Sequence, residues 1–350
     1  MVAEGRIPNP NVTETVMEYL DIAGLAPRAS RVALGTWAMG GWMWGGSDEL
    51  RAVKTIHAAL DQGITLIDTA PVYGFGRSEE IVGRALAMGA KRKSVLIATK
   101  AGLGWSEQSP YRDSRPEQIR KEIEESLRRL RTDYIDIYQI HWPDPLVPVA
   151  ETAGVMLELL REGKIRAIGV SNYGPNEMDA FRRVAPIHTV QPPYNLFERG
   201  IETDILPYAK QHGIAVLAYG ALCRGLLSGK IKGNTEFGGD DLRNADPKFQ
   251  EPRLGAYLAA VRALDRFAHL HYRKDVLALA VRWILDQGDT IALWGARRPD
   301  HLDRVGEALG WSLDAEAMDR IDRIIGDHVA NPVGPEFMAP PARAAIKEVA

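Results

Sequence analysis

The sequence predicts a (β/α)8 barrel, and three observations carry that prediction. Short β-branched apolar runs recur eight times, amphipathic helical patterns separate them, and most runs are apolar at successive positions without alternation. Continuous apolar runs are the mark of parallel strands covered on both faces. Eight strand–helix units of this length close into a barrel through right-handed crossovers. A doubly wound sheet shares the alternation, but its first strand–helix turn would carry a G-x-G-x-x-G phosphate loop, and none follows the first strand.

Taken in order, residues 1–16 are polar and lie outside the rhythm, and 17–34 read as a hairpin closing the barrel floor. The strands are Val32–Trp37, Thr65–Thr69, Val95–Lys100, Ile135–His141, Ala167–Ser171, Thr189–Pro192, Ala215–Tyr219 and Ile291–Gly295. After the first strand, Leu50, Val53, Ile56 and Leu60 recur at spacings of three and four, one face of a helix. Ile119, Ile123, Leu127 and Leu130 do the same before the fourth, and Ser114-Arg-Pro-Glu117 reads as a capping box with proline in the first turn. Further helices are expected near 78–88, 149–162, 175–184, 201–212, 272–287 and 299–308. Leu222–Arg253, rich in Gly, Asp and Asn, far exceeds the usual ~2–6-residue βα loop and reads as a lid or binding loop after the seventh strand. Leu313–Ile325 reads as an extra C-terminal helix, and the segment NPVGPEFMAPPAR is too proline-rich to be helical. The domain reading is an N-terminal extension (1–16), one barrel (17–327) and a proline-rich tail (328–350), with no linker dividing the chain.

Composition narrows the function. With 45% apolar and 25% charged residues, the 350-residue chain can bury a large core. Its 43 basic and 46 acidic residues leave a net charge of −3 with no dominant basic face, which argues against nucleic acid or an anionic membrane as partner. The apolar run Ile214–Cys223 is far short of the ~20 residues that span a bilayer, and the N-terminus has no signal-peptide apolar segment. A single cysteine, Cys223, excludes a disulfide framework and a multi-cysteine zinc site, and the eight histidines show no metal-ligand spacing. The expectation is a cytoplasmic enzyme without a metal, acting on a small molecule; the sequence carries no signal of oligomeric state.

Chemistry in such a barrel sits at the C-terminal mouths of the strands. There the sequence places Asp68, then Tyr73 in the following loop, Lys100, His141, Ser171 and Asn172, Gln191, Tyr219, and Gly295-Ala-Arg297-Arg298. A phenol ordinarily holds its proton to about pH 10. A lysine ammonium beside Tyr73 would favour the phenolate, with Asp68 holding the ammonium in place. The phenol then becomes a general acid–base for a carbonyl or alcohol oxygen, which His141 can orient. Singly, each residue has a plainer reading: Asp68 as a helix cap or salt bridge, His141 as a structural hydrogen-bond group, and Arg297–Arg298 as a solvated helix start.

The segments GTWAMG (35–40), DTAPVYG (68–74), IATK (97–100), YQIHWPD (138–144), GVSNY (169–173), VQPPYN (190–195) and LWGARRP (293–299) closely resemble the aldo-keto reductases from about residue 17 to 327. Within that family the chain resembles the bacterial branch related to the potassium-channel β subunits. The resemblance implies a (β/α)8 oxidoreductase that uses NADP(H) or NAD(H) to interconvert a carbonyl and its alcohol. It implies a tetrad in which Asp68 and Lys100 lower the pKa of Tyr73, the proton donor, and His141 positions the carbonyl. Ser171, Asn172 and Gln191 would hold the nicotinamide carboxamide, Tyr219 would stack on the ring, and Gly35, Thr36 and Trp37 would line that end. Gly220, Leu222, Arg224 and Lys230 would lie along the pyrophosphate, while Gly295, Ala296 and Arg297 would open a helix whose N-terminus favours an anion. Arg297 and Arg298 suit a 2′-phosphate, which favours NADP(H), with NAD(H) the alternative. His301 and Val305 stand where relatives often have glutamine and asparagine at the adenine, and Gly220-Ala221 replaces a common Ser-Pro pair. Trp42, Trp44, Trp105 and Trp142, with Tyr73 and His141, would wall the substrate pocket. The alternative is a cofactor-binding regulatory subunit, like the channel β subunits, with weak catalysis.

Overall fold

The computed structural model describes residues 16–89 and 91–343; residues 1–15 of the expected extension and 344–350 of the expected tail lie outside the described residues. A short antiparallel hairpin, β1 (Tyr19–Leu20) and β2 (Ala29–Ser30), leads into β3 (Val32–Gly35). A single helical turn, α1 (Trp37–Gly40), precedes α2 (Glu49–Asp61), β4 (Leu66–Asp68) and α3 (Arg77–Ala87). Then come β5 (Leu96–Ala101), a second hairpin of β6 (Leu103–Ser106) and β7 (Ser109–Arg112), and α4 (Pro116–Leu130). The rhythm continues with β8 (Ile135–Ile140), α5 (Val149–Arg161), β9 (Ile165–Ser171), α6 (Pro175–Arg182) and β10 (Thr189–Gln191). It ends with α7 (Ile205–His212), β11 (Ala215–Ala218), α8 (Arg253–Tyr272), α9 (Val276–Leu285), β12 (Thr290–Gly295) and α10 (Ala315–His328).

The strands β3, β4, β5, β8, β9, β10, β11 and β12 close into one parallel barrel, the last pairing with the first through Ala292–Val32 to Gly295–Gly35. Side chains alternate along each strand. Ala33, Leu66, Leu96, Ala98, Ile137, Ala167, Leu217 and Ile291 fill the interior, whereas Val32, Leu34, Ile67, Ile97, Tyr138 and Ile168 face the helices. Burial on both faces is why the strands read as uninterrupted apolar runs. The floor hairpin is where the sequence placed it: Ile22 and Ala29 cap the interior cluster, and Ser30 N–H donates to Thr65 Oγ1 at 2.9 Å below β4.

Three expectations are corrected. The chain between β11 and β12 holds two helices, because α8 occupies Arg253–Tyr272 and α9 only Val276–Leu285 of the expected 272–287. The expected helix 299–308 is two 3₁₀ turns, Pro299–His301 and Val305–Ala308, the first fixed by Trp294 Nε1 donating to His301 O at 3.1 Å. The capping box at Ser114 does not form: α4 starts at Pro116 with Arg115 before it, Ser114 N–H is taken by Asp144 Oδ2 and its hydroxyl accepts from Thr152. The structure adds a hairpin after β5, and the tail crosses it, with Arg112 N–H on Pro341 O at 3.0 Å and Arg343 paired to Asp113.

Candidate active site

Lys100 Nζ, fully buried inside β5, organises the mouth of the barrel. It donates to Asp68 Oδ1 at 2.8 Å, to Thr69 O at 2.9 Å and to the Tyr73 hydroxyl at 3.3 Å. Three donor hydrogens thus meet three acceptors, which fixes the ammonium in one orientation. The other carboxylate oxygen of Asp68 accepts from Gln191 Nε2 at 2.7 Å and Gln139 Nε2 at 3.4 Å. Gln139 is a residue the sequence reading missed. Its signal is positional, two residues before His141 on β8 and therefore on the same, interior face.

Tyr73 reaches the ammonium because its loop packs against α1 at two glycines. A Cβ on Gly74 would meet Gly40 O at 2.2 Å, and one on Gly40 would meet Tyr73 O at 2.5 Å; Gly74 also has φ +67°. No other residue fits that approach without moving the backbone. Trp37 stacks on the Tyr73 ring with centroids 5.8 Å apart and planes 21° apart, and His141 meets it edge-on at 5.9 Å.

Electrostatics differ from the sequence expectation in one respect. Burial, then the Asp68 carboxylate, push the Tyr73 phenol well above its ordinary pKa, although Lys100 touches it. Asp68 compensates the ammonium, so little net positive field is left at the phenol, and burial decides the direction. Burial likewise lowers Lys100. His141 is held well below the usual imidazole range by burial and by Lys100, so its ring is neutral at pH 7 and can donate only from the nitrogen carrying the proton. The arrangement keeps a phenol proton beside an immobilised cation and a neutral imidazole, which is suited to delivering that proton to an oxygen atom.

Around this centre the expected residues divide. Ser171 donates to Gln191 O at 2.8 Å; Asn172, at φ +60°, donates to His141 O at 3.0 Å and accepts from the Tyr219 hydroxyl at 3.0 Å. These bonds fix the Tyr219 ring and leave Gln191 Oε1 without a protein donor among the described residues. Thr36 is spent on the frame, since its hydroxyl donates to Asp68 O at 2.8 Å and meets Ser78 Oγ at 2.8 Å, while Gly35 lies on β3 beside Gly295 of β12. Burial, then Arg298, Lys230 and Arg297, lower the His301 pKa against Asp300, which pairs with Arg298 at 3.0 Å, so this rim gathers three cations around one carboxylate. With no helix at 299–308, a phosphate there would meet cations and the Gly295–Ala296 backbone instead of a helix N-terminus. Gly220 and Leu222 flank the turn after β11, where Arg224 is already paired with Glu198 and Asp246.

The aromatic wall also has a centre that sequence reading missed. Phe75, at φ +56°, packs on Trp42 at 5.0 Å and Trp105 at 5.6 Å, with Tyr73 and Trp142 beside the same cluster. Trp44 lies apart, edge-on to Trp37 at 5.6 Å, its carbonyl accepting from Arg297 at 2.7 Å. Beside Tyr219 and Asn172 a groove of about 540 Å³ opens between Trp142, Pro192 and, from the tail, Pro332 and Pro335.

A family model described as the aldo/keto reductase family matches residues 31–326, which covers the whole barrel and every residue of this mouth. The chain belongs to that family. An aldo-keto reductase of Bacillus subtilis is 59% identical over 331 residues, spanning 94% of this chain and all of that protein. The solved glycerol dehydrogenase of Gluconobacter oxydans is 56% identical, with a TM-score of 0.83 over 94% of this chain and all of that one. An NADH-specific methylglyoxal reductase of Escherichia coli is 38% identical, covering 82% of this chain and 92% of that protein. As an aldo-keto reductase, the chain is an oxidoreductase. Among the described residues no group of acidic, histidine or cysteine side chains is placed to hold a metal, and no helix is long and apolar enough to cross a membrane.

Proposed function

We propose that this aldo-keto reductase is an NADP(H)-dependent oxidoreductase that interconverts a small aldehyde or ketone and its alcohol, with Tyr73 as the general acid–base. The observation that carries the reading is the single ammonium of Lys100 bonded at once to Asp68 and the Tyr73 hydroxyl. Tyr219 would offer its ring face to the nicotinamide, and Gln191 Oε1, Asn172 and Ser171 would hold its carboxamide. Trp37 and Gly35 would border that end, Ala296 and Leu222 the diphosphate, and Lys230, Arg297 and Arg298 the 2′-phosphate, a choice of cofactor that the basic rim supports. The bound dinucleotide supplies the hydride.

The chain's own part is to hold and move a proton. The protonated phenol of Tyr73, beside neutral His141, donates to the carbonyl oxygen, and Lys100 stabilises the phenolate left behind. In the oxidative direction the phenolate takes the alcohol proton back. Trp42, Phe75, Trp105 and Trp142 surround the reacting oxygen with apolar surface that excludes water.

The test is a carbonyl and alcohol panel, headed by methylglyoxal and glycerol, followed at the nicotinamide absorbance with NADP(H) and NAD(H) in both directions. Tyr73→Phe removes one hydroxyl and should cut kcat by about 10²–10⁴ while dinucleotide affinity is kept. Undiminished turnover in Y73F would refute the mechanism. A wild-type protein that binds the dinucleotide and turns over no carbonyl would point to a regulatory subunit instead.

A further inference from the structure

Beneath the turn that follows Tyr219 lies a closed cluster of four charges. Arg224 pairs with Glu198 and donates from Nε to Asp246 Oδ2 at 2.5 Å; Lys248 Nζ lies 2.9 Å from Glu198 and 3.5 Å from Asp246. The Arg224 side chain is 4% exposed and the other three at most 1%. Two cations and two anions cancel, the condition under which ionised groups tolerate burial. The members come from separate segments. Glu198 follows β10, Arg224 follows β11, and Asp246 and Lys248 lie in the long segment before α8. Lys248 Nζ also donates to Gly334 O of the tail at 3.3 Å. Asn195 Nδ2 joins the cluster to the turn directly, donating to Glu198 Oε2 at 2.7 Å and to Gly220 O at 3.0 Å.

The turn itself needs such an anchor. Gly220, Cys223, Arg224 and Gly225 have φ of 68°, 47°, 53° and 90°. Cys223 and Arg224 carry side chains in the left-handed region, where an L-residue stays only when its surroundings over-determine it. Both carboxylates grip Arg224 at that point of strain.

We infer that Arg224 is a positioning residue for dinucleotide binding, acting through Glu198 and Asp246 on the 220–225 turn and not by touching a phosphate. The inference rests on the reading above, in which Tyr219 and the segment after it seat the dinucleotide.

The two roles make opposite predictions for Asp246→Asn, an isosteric change that removes one anion. If the guanidinium met a phosphate, D246N would release it and withdraw a repelling charge, and NADPH would bind more tightly. Positioning predicts weaker binding. In titrations with NADPH and with NADH, D246N and Arg224→Met should each lose about tenfold or more in affinity, by the same factor for both dinucleotides. The loss should fall on KM for the dinucleotide more than on kcat, and Arg224→Lys should recover part of it. Arg297→Ala, as comparison, should lose affinity for NADPH alone. Tighter or unchanged binding in D246N, or a loss in R224M confined to NADPH, overturns the inference. Should D246N fail to fold, Glu198→Gln removes the other partner and the same sign decides. Wild-type protein that binds neither dinucleotide would overturn the underlying reading, and is distinguished because it is measured before any variant.

Discussion

Replacing Lys100 by methionine tests the centre of the site through stability as well as rate. The ammonium is fully buried and Asp68 nearly so, 4% exposed in its side chain, with 2.8 Å between them. Removing one member of a buried pair costs about 3–5 kcal/mol, since the other charge is left without compensation. Asp68 keeps two amide donors, Gln191 at 2.7 Å and Gln139 at 3.4 Å, so the expected loss in K100M lies toward the lower end, about 3 kcal/mol. Urea unfolding followed by tryptophan fluorescence at pH 8 would measure it. The penalty belongs to the stranded carboxylate, so it should disappear with that charge. Asp68→Asn in the K100M background should restore more than half of the loss at pH 8 and none of the turnover. A K100M penalty under about 1 kcal/mol, or one that Asp68→Asn does not relieve, would refute the claim that an ion pair organises this mouth.

Three other outcomes follow from the geometry. Burial pushes the Glu122 carboxyl up to about 8, so the folded state keeps a proton that the unfolded chain gives up above about pH 4.3; stability is lost as pH rises through that window. Glu122→Gln should therefore melt higher than the wild type at pH 8.5, and less so at pH 5.5, because the amide can still accept from Gly102 N–H at the exit of β5. Gly74→Ala forces a Cβ against Gly40 O at φ +67° and should cost roughly 2–5 kcal/mol, read by thermal melting, with a fall in kcat as Tyr73 is displaced. Because His141 is already neutral, carbonyl reduction should show no inflection near pH 6.5; a loss of kcat centred there would show that the imidazole titrates.

Much of this molecule was legible from its residues, and the failures have physical causes. The barrel strands were readable because apolar neighbours cover both faces of each one, and Asp68, Lys100, His141, Ser171 and Gln191 stood out as the polar ends of those runs. The helix Arg253–Tyr272 was hidden by the expectation of one helix per strand, although Leu254, Tyr257, Leu258, Val261 and Leu264 repeat at helical spacing. Its partner α9 is buried at all ten positions, so no polar face marked where it began. Gln139 and Phe75 were overlooked because one lies inside a strand and the other in a loop, and only the folded chain shows what each touches. The direction of the Tyr73 shift could not come from residue types, since it depends on how completely the phenol is enclosed and on whether Asp68 cancels Lys100. Arg224 shows the same limit: its two carboxylate partners, 26 and 22 positions away, come into view only in the folded chain.

The floor hairpin and the crossing tail put the two described ends of this chain at opposite poles of the barrel. Tyr19 to Ser30 seal the pole away from Tyr73, while Pro332 to Arg343 run along the rim beside Trp142 and Tyr219. A tether attached ahead of Tyr19 would leave the entrance clear, whereas cargo fused after Arg343 would sit next to the doorway. The same protein immobilised at Tyr19 or at Arg343 should thus differ in how readily bulky compounds get in.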